Sequence, residues 1–169
     1  MKFSTRALTR GGIISALYIV LTFVTLPIAS GSIQFRLSEA LTLLPLFFIE
    51  SIPALTIGCA LANLITGCAL LDIVCGSLIT LMSAVLTYLF GKIIKNNFLK
   101  VVVGGFFPII LNAFLLPVVW YFAYGKLEII YIFNVLSLFV SQSASIYGAG
   151  AILYLSIPKL MITHSKLFE

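Results

Sequence analysis

Charge is what this sequence lacks most. Of its 169 residues only 9% are Asp, Glu, Lys or Arg, against about a quarter in an ordinary soluble domain. Five residues are acidic and one, His164, is a histidine. There is no P-loop, no HExxH and no pair of carboxylates spaced along a helix, which removes nucleotide hydrolases and zinc proteases. An intramembrane protease or an ion-driven pump needs buried acids or histidines, and the inner half of the chain offers none. Cys59, Cys68 and Cys75 form no CxxC pair and lie in apolar sequence with no histidine nearby, so they read as small buried hydrophobes rather than a disulfide or metal framework. Apolar-polar alternation of the strand type is also missing, which argues against a membrane barrel.

What is present is hydrophobicity. Apolar residues make up 62% of the chain, and the mean hydropathy is +1.21. A soluble domain of this size leaves too much surface wet to hide that content. The expectation is an all-α integral protein of the cell membrane, multi-pass, forming a single transmembrane domain over 1–169. The net charge of +5 then reports orientation in the bilayer, not a nucleic-acid partner.

Charge-free gaps run over 11–35, 40–49, 51–71, 73–91, 101–125 and 129–158. A straight helix needs roughly 20 apolar residues to cross, and the second gap holds only ten. The positive-inside rule decides whether it crosses. With six spans and both termini cytoplasmic, Lys2, Arg6, Arg10, Lys92, Lys95, Lys100, Lys159 and Lys166 are inside, and only Arg36 and Lys126 are outside. Without that crossing the bias vanishes. Six transmembrane helices are therefore predicted, at about 11–28, 37–49, 52–66, 73–90, 101–124 and 129–157. The first has the basic start of a signal peptide, but an apolar stretch of about 18 residues is long for one.

Polar residues at apolar depth are expensive and mark candidate sites. One group is Gln34, Arg36 and Glu39, where Arg36 and Glu39 share a face if a helix begins there; they form either an interfacial ion pair or a recognition pair at the mouth of a cavity. A second group is Asn63, Asp72, Ser77 and Thr80. Asp72 can serve as an N-cap, and the hydroxyls can bond back to their own helix. In the fifth span Asn112 lies midway, and Trp120, Tyr121 and Tyr124 form either an interfacial belt or a stacking surface. In the sixth, Asn134, Ser137, Ser141, Gln142 and Ser145 make a polar stripe that glues helices or lines a cavity. Gly12 and Ala16, four apart in the first span, permit close approach of another helix, inside the bundle or from a partner. A pocket without an energy source suggests a binding subunit that docks on a separate motor. A stand-alone small-molecule carrier and, more remotely, an intramembrane enzyme are the competing readings.

Two blocks are more specific. The stretch Ile33-Gln34-Phe35-Arg36-Leu37-Ser38-Glu39-Ala40-Leu41-Thr42, and Gly58 to Ile65 followed by Leu71-Asp72-Ile73-Val74-Cys75-Gly76-Ser77-Leu78, resemble the QueT family. Its members are substrate-binding S components of energy-coupling factor (ECF) transporters, linked to uptake of queuosine precursors. The resemblance implies a six-helix bundle with no enzymatic activity or cofactor of its own, and a transmembrane coupling subunit and two cytosolic ATPases as partners. It implies an outward-facing site for a deazapurine, with Gln34, Arg36, Glu39, Asn63 and Asp72 at the family's polar positions and Gly12 and Ala16 on its docking surface. Ser77, Asn112, Trp120, Asn134 and Gln142 are further candidates for substrate contact. Relatives often carry Glu at the position of Gln142.

Overall fold

The computed structural model describes residues 4–29, 35–125 and 130–163. Its elements are α1 (Thr5–Ala29), a 3-10 helix (Leu37–Leu46), α2 (Ser51–Ile65), α3 (Leu70–Ile93), α4 (Asn97–Tyr124), α5 (Tyr131–Ser143), a π segment (Ala144–Gly150) and α6 (Ala151–Thr163). No strand occurs among the described residues. Four helices are long and apolar enough to cross a membrane: Thr5–Ile28, Leu70–Ile93, Asn97–Tyr124 and the continuous run Tyr131–Leu160. The 3-10 helix and α2 are shorter.

Local chemistry sets the ends. The Asn96 side chain caps α4 by accepting from the backbone N–H groups of Phe98 and Leu99 at 2.9 and 3.3 Å. Gly125 closes the same helix at φ 72°, a conformation that glycine adopts without a Cβ clash. Between α2 and α3, Gly67 turns the chain at φ 77°, and the N–H of Cys68 bonds to the Asn63 carbonyl at 3.0 Å. That bond is the six-to-one link of a Schellman cap.

The expected second helix, 37–49, is shorter and wound differently. It ends at Leu46 and is a 3-10 helix with Pro45 in its last turn. Proline removes a backbone donor and resists continuation of a helix. Beyond it the N–H groups of Phe47 and Phe48 both turn back to the Leu44 carbonyl. Ten 3-10 residues span about 20 Å, so the tighter winding recovers length that an α-helix of ten residues lacks.

This 3-10 helix is the axis of the bundle, with every residue from Ser38 to Pro45 buried. It runs antiparallel to α1, with Tyr18 against Glu39 and Thr22 against Ser38. It also runs antiparallel to α4, with Asn112 against Glu39 and Gly104 against Leu46. Leu43 packs with Ile109, Ile146 and Tyr154. A second cluster joins Ile14, Tyr18, Leu41, Leu44 and Leu55 around α1 and α2. The outside is apolar: Leu8, Val24, Ile93, Phe122 and Ile152 are all more than 60% exposed. A soluble monomer rarely presents such a continuous apolar surface, whereas hydrocarbon solvates it.

Candidate functional site

The costly residues converge at one level of the bundle. Tyr18 of α1 donates its hydroxyl to Glu39 Oε1 at 2.7 Å. Asn112 of α4 donates from Nδ2 to Glu39 Oε2 at 3.2 Å. Both oxygens of one buried carboxylate are thus held by helices on either side. Arg36, at the N-cap of the 3-10 helix, donates from Nη1 to Asn63 Oδ1 of α2 at 3.2 Å. Asp72 accepts from the Tyr124 hydroxyl at 3.4 Å, and that hydroxyl in turn accepts from the Ala69 N–H at 3.2 Å.

These side chains, with Cys59, Gly76, Thr80, Leu116 and Trp120, line a cavity of about 10 Å³, room for about one water molecule. Gly76 is what lets α2 and α3 close here. A Cβ on it would stand 3.2 Å from Asn63 Nδ2 and 3.7 Å from Asp72 Oδ1. Glu39, Asn63, Asp72 and Asn112 are all at most 5% exposed. Two carboxyl groups face one guanidinium, so in their charged forms they give the cluster a net charge of −1. Burying unequal charge is costly, and such an enclosure is chemically suited to a ligand rich in N–H donors or bearing a positive charge. Among the described residues no group of His, Cys, Asp and Glu is arranged to hold a metal ion.

Seven residues singled out in the sequence as costly to place therefore meet: Arg36, Glu39, Asn63, Asp72, Thr80, Asn112 and Trp120. Arg36 and Glu39 do not pair with each other as an interfacial ion pair; each reaches a different helix. Nor is Asp72 the N-cap of its helix. Ala69 holds that position, and Asp72, one turn in, is free to face the cavity. Ser77 stays outside, its hydroxyl donating to the Val74 carbonyl at 2.9 Å. Asn134, half-buried on α5, does not line the cavity. Gln34 lies outside the described residues.

Gln142 is buried but also outside the cavity lining. Its Oε1 and the Ser145 Oγ have no hydrogen-bond partner. Leu138, one turn before, clusters with Ala113, and Ile146, one turn after, clusters with Ile109. Gln142 is thereby level with Asn112 of α4. On α1 the small residues divide by face. Gly11 lies against Ala54 and the Glu50 carbonyl, and Ser15 donates to the Ala54 carbonyl at 2.6 Å. Gly12 and Ala16 are exposed, with nothing within 4 Å of a Cβ built on Gly12.

Sequence reasoning did not single out Tyr18. A tyrosine in mid-span, away from both interfaces, was the available signal, because a buried hydroxyl needs a partner. Cys59 is the small buried residue expected, and it also lines the cavity.

Searches of curated proteins and of solved structures give no match. The family model described as QueT transporter matches residues 8–159, and this multi-pass membrane protein belongs to that family.

Proposed function

We propose that the chain is the substrate-binding subunit of an ECF-type importer and that it captures a queuosine precursor, a 7-deazaguanine-type base, from outside the cell. The observation that carries the reading is the enclosed cluster of Glu39, Asp72, Asn63 and Asn112 within a QueT-family chain. A guanine-like edge offers N–H donors, which carboxylates accept. An aminomethyl arm adds a positive charge that offsets the cluster's surplus carboxylate. Trp120 at the rim supplies a stacking face, worth ~1–3 kcal/mol for a base. The unpartnered Gln142 Oε1, level with Asn112, is a further acceptor for the ligand. Because the side chains now close on one another, binding parts Arg36 from Asn63 and replaces internal hydrogen bonds with ligand bonds.

In this reading the chain crosses the bilayer six times with both termini cytoplasmic. The placement of Arg6, Arg10, Lys92, Lys95 and Lys100 at one end of the bundle supports that orientation. Energy comes from a coupling subunit and two ATPases, which dock on the open face of α1 carrying Gly12 and Ala16.

The test is titration of the purified chain with 7-aminomethyl-7-deazaguanine and with guanine. The amine-bearing base binds, and Glu39→Gln and Asp72→Asn each weaken it. Loss of a hydrogen bond to a buried charged group costs ~1.5–3 kcal/mol, or about 10- to 150-fold in affinity. No binding of either base, or unchanged affinity in both variants, overturns the assignment.

A further inference from the structure

At the opposite end of the bundle, where α1, α3 and the chain from Leu46 to Glu50 meet, lies an open groove of about 440 Å³. Its polar residues are Arg10, Glu50 and Lys92, and its walls include Phe48, Ile49 and Tyr88. Arg10 Nε meets Glu50 Oε1 at 2.7 Å, and the guanidinium also lies 5.1 Å from the Phe48 ring centre. The groove's single acid is thus already matched. Lys92 is exposed and stands with Nζ 4.4 Å from the Tyr88 ring centre. A cation over an aromatic face is attracted but not neutralised. The groove therefore keeps one positive charge.

Its surroundings are not those of a water-facing anion site. Ile49, Phe90 and Ile93, at or beside the groove, are 38, 38 and 73% exposed, and α3 here belongs to a membrane-length helix. We propose that the groove holds an anionic phospholipid, its phosphate at Lys92 beside Arg10 and its acyl chains along the exposed aliphatic face. Charge and surface together select this ligand: the phosphate matches the residual cation, and the neighbouring apolar surface has no use for a free ion. Lys95 and Lys100 follow close by in the sequence, and neither lines the groove. They serve as an internal control for general attraction to a negative membrane.

The experiment uses the full chain in detergent, titrated with phosphatidylglycerol and with phosphatidylcholine, with retained lipid counted by native mass spectrometry. Phosphatidylglycerol is retained preferentially. Lys92→Gln lowers that retention about fivefold, the effect of removing one basic residue near a lipid headgroup, whereas Lys92→Arg preserves it. Lys95→Gln leaves it unchanged, and millimolar inorganic phosphate does not displace the lipid. The thermal midpoint in phosphatidylcholine serves as the folding control for each variant. Equal retention of the two lipids, equal losses in Lys92→Gln and Lys95→Gln, or displacement by phosphate overturns the proposal. None of these readouts involves the base site, so the two assignments succeed or fail separately.

Discussion

Glu39 carries two hydrogen bonds from two different helices, and under the proposed function it is also a carboxylate that meets the ligand. The Tyr18 hydroxyl lies 2.7 Å from it, and both side chains are buried. Tyr18→Phe leaves the ring packed and removes only that donor. A hydrogen bond to a charged group contributes ~1.5–3 kcal/mol, so the variant unfolds at a lower temperature in detergent. It also binds the deazapurine more weakly, because the carboxylate is no longer held in place. A midpoint equal to that of the unmodified chain would show that the hydroxyl does not hold Glu39. Asn112 was legible in the sequence because an amide in mid-span is costly wherever it faces and so must find a partner. Tyr18 was not, because a tyrosine is apolar by area and polar only at one atom.

At the scale of elements, the packing of α1 on α2 depends on Gly58. A Cβ there would lie 3.0 Å from Tyr18 Cβ and 3.2 Å from the Ser15 carbonyl oxygen. Both neighbours are fixed close to the α1 backbone and cannot swing away. Gly58→Val therefore destabilises the protein by about 1–3 kcal/mol, the usual effect of overpacking. Gly12→Val, on the open face of the same helix, leaves the stability within about 0.5 kcal/mol of its starting value, read as a nearly unchanged thermal midpoint. If α1 docks on a coupling subunit, Gly12→Trp in addition abolishes uptake in cells while ligand affinity in detergent is retained. Normal uptake by that variant would move the docking face elsewhere. Spacing alone could not separate Gly11 and Ser15 from Gly12 and Ala16, since both pairs are four apart; the rotation of α1 about its axis separates them.

For the whole molecule, the proposed function predicts binding without accumulation. Purified chain reconstituted into liposomes binds the base but does not concentrate it. Co-reconstitution with the coupling subunit and ATPases restores uptake in the presence of ATP. Concentrative uptake by the chain alone would favour the stand-alone carrier instead. Four of the bundle's helices are long and apolar enough for the bilayer. The remaining two elements are short, and the buried 3-10 helix is the one that gathers neighbours from almost every other element.

Hydropathy is additive along a chain, so the sequence by itself determined that the protein is helical and lives in a membrane, and where most of its helices lie. The expense of burying polar atoms marked Arg36, Glu39, Asn63, Asp72 and Asn112 for the same reason: that penalty belongs to the residue and needs no partner to be recognised. Which of them meet was decided only by the tertiary structure. Glu39 and Asn112 are 73 residues apart, and Arg36 and Asn63 are 27 apart. Contact at such separations depends on how each helix is rotated and on how far down the axis it sits. The same is true of the second helix. Its apolar residues showed that it was buried, but its 3-10 winding and the level at which Glu39 meets Tyr18 and Asn112 belong to the packed bundle.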